Sequence, residues 1–168
     1  MKKYLILIII FITPFRGASA HNENNLFIDK FLIDLYLIYK FPITKKILIG
    51  NLTLSKPLLS LNEKNQQVTL KLNYSIDLNK NALKGDFLAS SSISYDEKDK
   101  LIKIHKTTIG NIKFLEKEID KESLGLINAV LIQGLDNFTI YKIEKNTLFG
   151  GIEPKKIVII DDGILINY

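Results

Sequence analysis

Residues 120–138 read DKESLGLINAVLIQGLDNF, and the rest of the chain has to accommodate this apolar stretch. We predict a helix with Asp120 as its N-cap and Glu122 in its first turn, where a carboxylate faces the positive end of the helix dipole. One face carries apolar residues at spacings of three and four. These residues are Leu124, Ile127, Leu131, Leu135 and Phe138. Further apolar residues cover most of the remaining circumference, so the helix must be wrapped by other structure or by lipid.

A membrane span is the weaker of these two explanations. Asn128, Gln133 and Asp136 interrupt a run that is already barely long enough to cross a bilayer. We therefore predict a long apolar helix covered by a sheet.

The clearest strand signal is a strict alternation of apolar and polar residues over 68–78. The apolar positions are Val68, Leu70, Leu72, Tyr74, Ile76 and Leu78. Such a strand would be about 35 Å long, with one dry and one wet face. After a predicted turn over 79–86, weaker alternation follows in 87–95, which includes Phe87 and Ile93. Residues 100–114 continue the pattern, with Ile102 and Ile104 inward and a bulge or bend at Gly110.

Residues 25–41 are also strongly apolar and predict a second helix near the N-terminus, although 35–39 could equally be a strand. Lys30 and Asp34 can pair at i, i+4. The apolar side carries Phe27, Phe31, Leu35 and Ile38. Near the other end, KIVII at 156–160 predicts a strand, and 164–168 a short hairpin arm. We therefore predict an α+β fold with three or four long antiparallel strands.

The first twenty residues have the features of a signal peptide. Two lysines precede nine apolar residues, and Ala18 and Ala20 form a cleavage site before His21. The apolar run would span about 13 Å as a helix, which is too short for a bilayer. We predict cleavage of residues 1–20, leaving one domain over 21–168, periplasmic or secreted, in a bacterial envelope.

The amino-acid composition argues against several classes of function. Without residues 1–20 the chain has 20 lysines against 18 acidic residues and no arginine, because Arg16 is the only one. A nearly neutral domain without arginine argues against nucleic-acid binding. The absence of cysteine excludes disulfides, thiol catalysis and lipidation at a cysteine.

No catalytic or metal-binding set emerges from the sequence. His105 lies between lysines, which oppose protonation and metal binding, and the serines of 90–94 have no base beside them. Asp161 and Asp162 are typical of a turn. We therefore expect neither an enzyme nor a cofactor. Several lysines could touch acidic headgroups, so transient contact with a membrane surface is retained.

Two apolar helices and several one-sided strands carry more aliphatic surface than a domain of this size usually needs. That surplus fits an oversized core, an oligomer interface or a ligand cavity, and composition does not choose among them.

The order of these segments resembles the YceB-like family of bacterial envelope lipoproteins, whose function is unassigned. The resemblance rests on FIDKFLIDLYLIYKFP (27–42), IGNLTLSKPLLSLNEKNQQVTLKLNYSIDLN (49–79), YDEKDKLIKIHKTTIGNIKF (95–114), the helix of 120–138 and GGIEPKKIVII (150–160). Members of this family are similar to the tubular lipid-binding (TULIP-like) proteins. The resemblance implies a curved antiparallel half-barrel around a long helix, with an apolar groove. The family's acylated cysteine is absent, because residues 17–20 read GASA, which implies a form without a lipid tether.

Two functions follow from these observations. The first is non-enzymatic binding of a lipid or another long apolar molecule in a groove between sheet and helix. The residues expected to line the groove are Leu70, Leu72, Tyr74, Phe87, Ile93, Leu124, Ile127, Leu131 and Phe138. The second is a structural or interaction module with a solid core, which contacts partner proteins through an edge strand or the arm at 164–168.

Overall fold

The computed structural model describes residues 25–47, 50–78, 81–115, 120–143 and 154–168. The predicted signal peptide and its cleavage before His21 lie outside the described residues. The loop predicted around Gly150 and Gly151 also lies outside them.

The described residues form an α+β fold that is mostly strand. The elements in chain order are β1 (Asn25–Asp29), α1 (Lys30–Lys40), β2 (Ile43–Ile47), β3 (Gly50–Asn62), β4 (Gln67–Leu78), β5 (Asn81–Asp96), β6 (Leu101–Phe114), α2 (Lys121–Leu135), β7 (Thr139–Lys142), β8 (Lys156–Ile160) and β9 (Gly163–Asn167). Neither helix in the described part of the chain is long and apolar enough to cross a membrane.

Strands β2 to β7 form a six-stranded antiparallel sheet in sequence order. In a flat sheet, β3 and β7 would lie about 19 Å apart, because neighbouring strands are separated by about 4.8 Å. Helix α1 contacts both of these strands, although a helix is only about 10–12 Å across. The sheet is therefore curled into a half-barrel, as the family resemblance implies, and α1 packs across its opening.

The alternation in β4 is confirmed. Five of its six apolar positions, Val68, Leu70, Leu72, Tyr74 and Ile76, are buried in the core. The predicted turn over 79–86 is wrong in its extent, since β5 begins at Asn81 and pairs with β4 along its length. Continuous pairing with β4 from Asn81 to Ser91 overrides the turn propensity of the Asn, Lys and Gly residues in this segment.

The N-terminal helix is shorter than predicted, and it buries a different face. Residues 25–29 form β1, which pairs with β9, and Asp29 caps α1 by accepting a hydrogen bond from Phe31 N at 2.7 Å. The predicted ion pair between Lys30 and Asp34 is present at 2.6 Å. The buried residues of α1 are Ile33 and Leu37, whereas Phe27, Phe31, Leu35 and Ile38 are exposed. Both sides of this helix are apolar, so periodicity could not select the inward one.

A second sheet, β1-β9-β8, is joined to the half-barrel by the side chain of Gln66. Its Nε2 donates to the carbonyl of Ile159 and its Oε1 accepts from the N–H of Ile159, both at 2.9 Å. The Lys30 N–H donates to the carbonyl of Asp162 at 2.8 Å. These bonds connect the end of the β3–β4 hairpin and the start of α1 to the small sheet.

Helix α2 begins as predicted and is buried on one face only. Asp120 accepts a hydrogen bond from Ser123 N at 2.9 Å, and Glu122 lies in the first turn. The buried residues are Ile127, Val130, Leu131, Gly134 and Leu135. Leu124 and Leu126 are exposed, and Phe138 lies beyond the helix end. A long apolar helix wrapped by the sheet is therefore not confirmed, because the described strands cover only one side of α2.

The two glycines of α2 predict opposite responses to alanine. A Cβ at Gly134 would lie 2.5 Å from Leu52 Cδ2, and Leu52 is itself buried. We expect Gly134→Ala to lower the free energy of unfolding by about 1–3 kcal/mol, as overpacking does. At Gly125 a Cβ would meet nothing within 4 Å. Gly125→Ala should therefore raise the free energy of unfolding by about 0.5–1 kcal/mol, because alanine has the higher helix propensity. Urea denaturation of both variants measures the difference, and equal effects would contradict the docking of α2.

The burial of Tyr74 predicts an alkaline loss of stability. Tyr74 donates a hydrogen bond to the Lys113 carbonyl at 3.4 Å and contacts the rings of Phe87 and Phe114. Burial, reinforced by the Asp86 carboxylate, raises the pKa of Tyr74 from 10.0 to about 12. The folded state thus favours the neutral phenol.

The stability that Tyr74 contributes is therefore complete below about pH 10 and is lost as pH rises towards 12. We expect the free energy of unfolding to fall less steeply over this range in Tyr74→Phe than in the wild type. Chemical denaturation at a series of pH values measures both slopes, and identical slopes would show that the phenol is not buried.

Candidate functional site

Two β-bulges in β6 set the shape of the sheet beside α2. Register shifts opposite β5 leave one extra β6 residue at each position, and Lys106 (φ 52) and Asn111 (φ 49) adopt left-handed backbone conformations there. Each bulge resets which residues face inward. The inward positions after Ile104 are therefore Thr107, Ile109, Ile112 and Phe114.

Two buried hydroxyl side chains form a hydrogen bond beside the first bulge. Thr107 and Ser91 are both buried, and their hydroxyl oxygens lie 2.9 Å apart in a hydrogen bond. Ile109, between the two bulges, and Ile112, just beyond the second, are only half-buried. The far end of β6 thus leaves aliphatic side chains incompletely covered beneath the first turns of α2.

Helix α2 packs closely on the sheet through Gly134, because a Cβ there would overlap Leu52. Gly125 lies nine residues earlier, on the opposite side of the helix, where it is exposed and a Cβ would meet nothing within 4 Å. An open cleft of ≈570 Å³ lies between the first half of α2 and β6. We call it the α2–β6 cleft. It is lined by Ile109, Asn111, Ile112, Lys121, Leu124, Gly125 and Asn128.

The α2–β6 cleft combines aliphatic walls with a few polar groups. Ile109, Ile112 and Leu124 supply the apolar surface, and the exposed Lys121 supplies a cation. Asn128 Oδ1 is buried and accepts no hydrogen bond from the part of the chain that the structure describes. Binding sites for small molecules commonly have this composition and a volume of about 300–1,000 Å³.

The cleft brings no acid–base or nucleophilic set together. Across residues 25–47, 50–78, 81–115, 120–143 and 154–168, no three histidine or carboxylate side chains are close enough to hold a metal ion. His105 lies elsewhere on β6, with its Nε2 3.1 Å from the Ile93 carbonyl oxygen.

Of the nine residues predicted to line a groove, Leu124 alone borders the α2–β6 cleft. Six lie buried in the core: Leu70, Leu72, Tyr74, Phe87, Ile127 and Leu131. Ile93 and Phe138 are partly buried against that core, and Phe138 packs edge-on to Phe41 with ring centroids 5.4 Å apart. The predicted set therefore describes mainly the interior between the helices and the curled sheet.

The other residues that line the cleft were not predicted, because the sequence features that mark them extend over only one or two positions. Gly110 marks the second bulge in the sequence, but the extra residue it introduces is Asn111, which turns Ile112 inward. Asn128 is a polar residue in an otherwise apolar helix, and Gly125 contributes no side chain to it. A glycine and an amide close together in an otherwise apolar helix were the available signal.

No protein-family model and no curated protein sequence matches this chain. The resemblance to the YceB-like family therefore stays a prediction from the order of the sequence segments, and the α2–β6 cleft has to be interpreted from its own residues.

Proposed function

We propose that this protein is a non-enzymatic carrier that binds a lipid or another long apolar molecule in the α2–β6 cleft. The observation that supports this most directly is the cleft itself, which is lined by Leu124 and Gly125 on the helix and by Ile109 and Ile112 on the sheet. Water in a cleft with such walls is displaced favourably by an apolar ligand, because burial of apolar surface releases about 25 cal/mol per Å².

The sequence supports the same proposal, and we propose that the carrier is periplasmic or secreted. The basic, apolar and small-residue regions of 1–20 are those of an export signal. The resemblance to YceB-like and TULIP-like proteins implies a groove between a curved sheet and a helix. A curled sheet with a cleft beside a helix is compatible with that architecture.

An envelope interaction module remains the alternative, and one of its two predicted contact sites is ruled out. The arm at 164–168 contains β9, which already pairs with β1 on one side and β8 on the other. Its Ile164 and Ile166 are buried. Strand addition would have to use an edge strand, such as β2, where the exposed Lys45 and Lys46 oppose edge pairing.

Filling the cleft tests the carrier proposal. We expect a fluorescent fatty-acyl probe to bind the wild type, and we expect Gly125→Phe to weaken that binding about tenfold or more, because the ring occupies the probe's space. Thermal stability should hold, since nothing lies within 4 Å of the new Cβ. Fluorescence titration and thermal denaturation of the same samples give both quantities.

Leu126→Phe is the matched control, because it adds the same ring one position along at an exposed residue outside the cleft lining. It should bind the probe like the wild type. A wild type that binds no acyl probe would contradict the carrier proposal and favour the interaction module. Equal weakening in both variants would place the ligand elsewhere.

A further inference from the structure

Helix α1 presents a continuous apolar face to solvent. Its members are Phe31 (64% exposed), Leu32 (44%), Leu35 (46%), Ile38 (64%) and Tyr39 (84%). We call this set the α1 outer face. At 100° per residue, all five lie on the side of the helix opposite Ile33 and Leu37, which are buried in the core.

This arrangement reverses the usual pattern of a surface helix. A surface helix normally turns polar side chains to solvent and one apolar stripe inward. In α1, Lys30, Asp34 and Lys40 lie at the flanks, between the buried residues and the outer face. Single exposed leucines are common, but a contiguous apolar patch marks a contact surface.

The groups around the outer face indicate the kind of surface that it contacts. The Lys40 ammonium lies 5.4 Å from the ring centroid of Tyr36 and 5.9 Å from that of Tyr39. Tyrosine and lysine side chains pair an apolar body with a polar tip and suit the headgroup level of a bilayer. Lys45 and Lys46 follow on β2 and are exposed. Residues 25–47 contain four lysines and two aspartates, a net charge of +2.

We propose that the α1 outer face docks this protein on an anionic lipid surface, with the helix axis in the plane of the headgroups. The apolar side chains enter the boundary of the acyl region and the flanking lysines face the anionic headgroups, as in interfacial amphipathic helices. The charge favours an anionic lipid surface over an apolar groove of another protein. Docking uses α1 and the proposed carriage uses the α2–β6 cleft, so the two proposals can fail separately.

Vesicle flotation of the purified exported protein tests the proposal with charge-matched variants. Ile38 and Leu58 are equally exposed, at 64%, but Leu58 lies on β3 and outside α1. With vesicles of phosphatidylglycerol and phosphatidylcholine, we expect Ile38→Glu to reduce the bound fraction about tenfold, since it moves a carboxylate to the acyl boundary. Leu58→Glu carries the same charge and should bind like the wild type. Equal binding by the two variants would overturn the proposal.

A second measurement uses the absence of tryptophan from the chain. In Tyr39→Trp the single indole should shift its emission to shorter wavelength when these vesicles are added, and in Leu58→Trp it should not. Vesicles of phosphatidylcholine alone should give a smaller shift. An unshifted Tyr39→Trp spectrum would overturn the proposal. Sedimentation that shows a dimer dissociated by Ile38→Glu, without vesicle binding, would identify a second copy as the occupant.

Discussion

The missing side chain at Gly134 lets α2 approach β3 so closely that a Cβ there would lie 2.5 Å from Leu52 Cδ2. This close approach fixes one end of the helix on the curled sheet, and the buried residues Leu131 and Leu135 adjoin it. The N-terminal end of α2 lies over β6. The second bulge of β6 turns Ile112 inward, and Ile112 stays only half-buried. The α2–β6 cleft lies beside the first half of this helix, next to the bulged strand.

The same curled sheet accounts for the second apolar surface. Because β3 and β7 approach each other, a single short helix can contact both, and α1 buries Ile33 and Leu37 in doing so. The half-barrel opening accepts only one face of α1, so the remaining apolar residues stay in solvent. Phe41 after α1 and Phe138 after α2 meet edge to face, which joins the ends of the two helices. A carrier needs a place for its cargo and a means of reaching the membrane, and we propose that α2 and α1 provide them respectively.

The sequence predicted the buried residues best where one face of an element is exposed to solvent. The strict alternation of β4 identified its buried residues correctly, and Asp120 identified the start of α2. The sequence was least informative where apolar residues surround an element, because the periodicity then does not show which face is buried. For that reason the buried face of α1 was predicted wrongly, and α2 was expected to be wrapped. Strand β1 was missed because its partner β9 is more than 130 residues away in the chain. Of the cleft residues only Leu124 was predicted, since a left-handed residue such as Asn111 leaves no trace in hydropathy.

The central claim is that an apolar ligand occupies the space between α2 and β6, and paramagnetic relaxation in solution tests it most directly. A fatty acid with a nitroxide on its acyl chain is titrated into isotope-labelled protein, and the amide signals are followed by NMR. The account predicts broadening concentrated at Ile109, Asn111 and Ile112 on the sheet and at Leu124, Gly125 and Asn128 on the helix. It also predicts that unlabelled fatty acid reverses the broadening. Absence of any broadening, or broadening centred on core residues such as Leu70 and Phe87, would contradict the account.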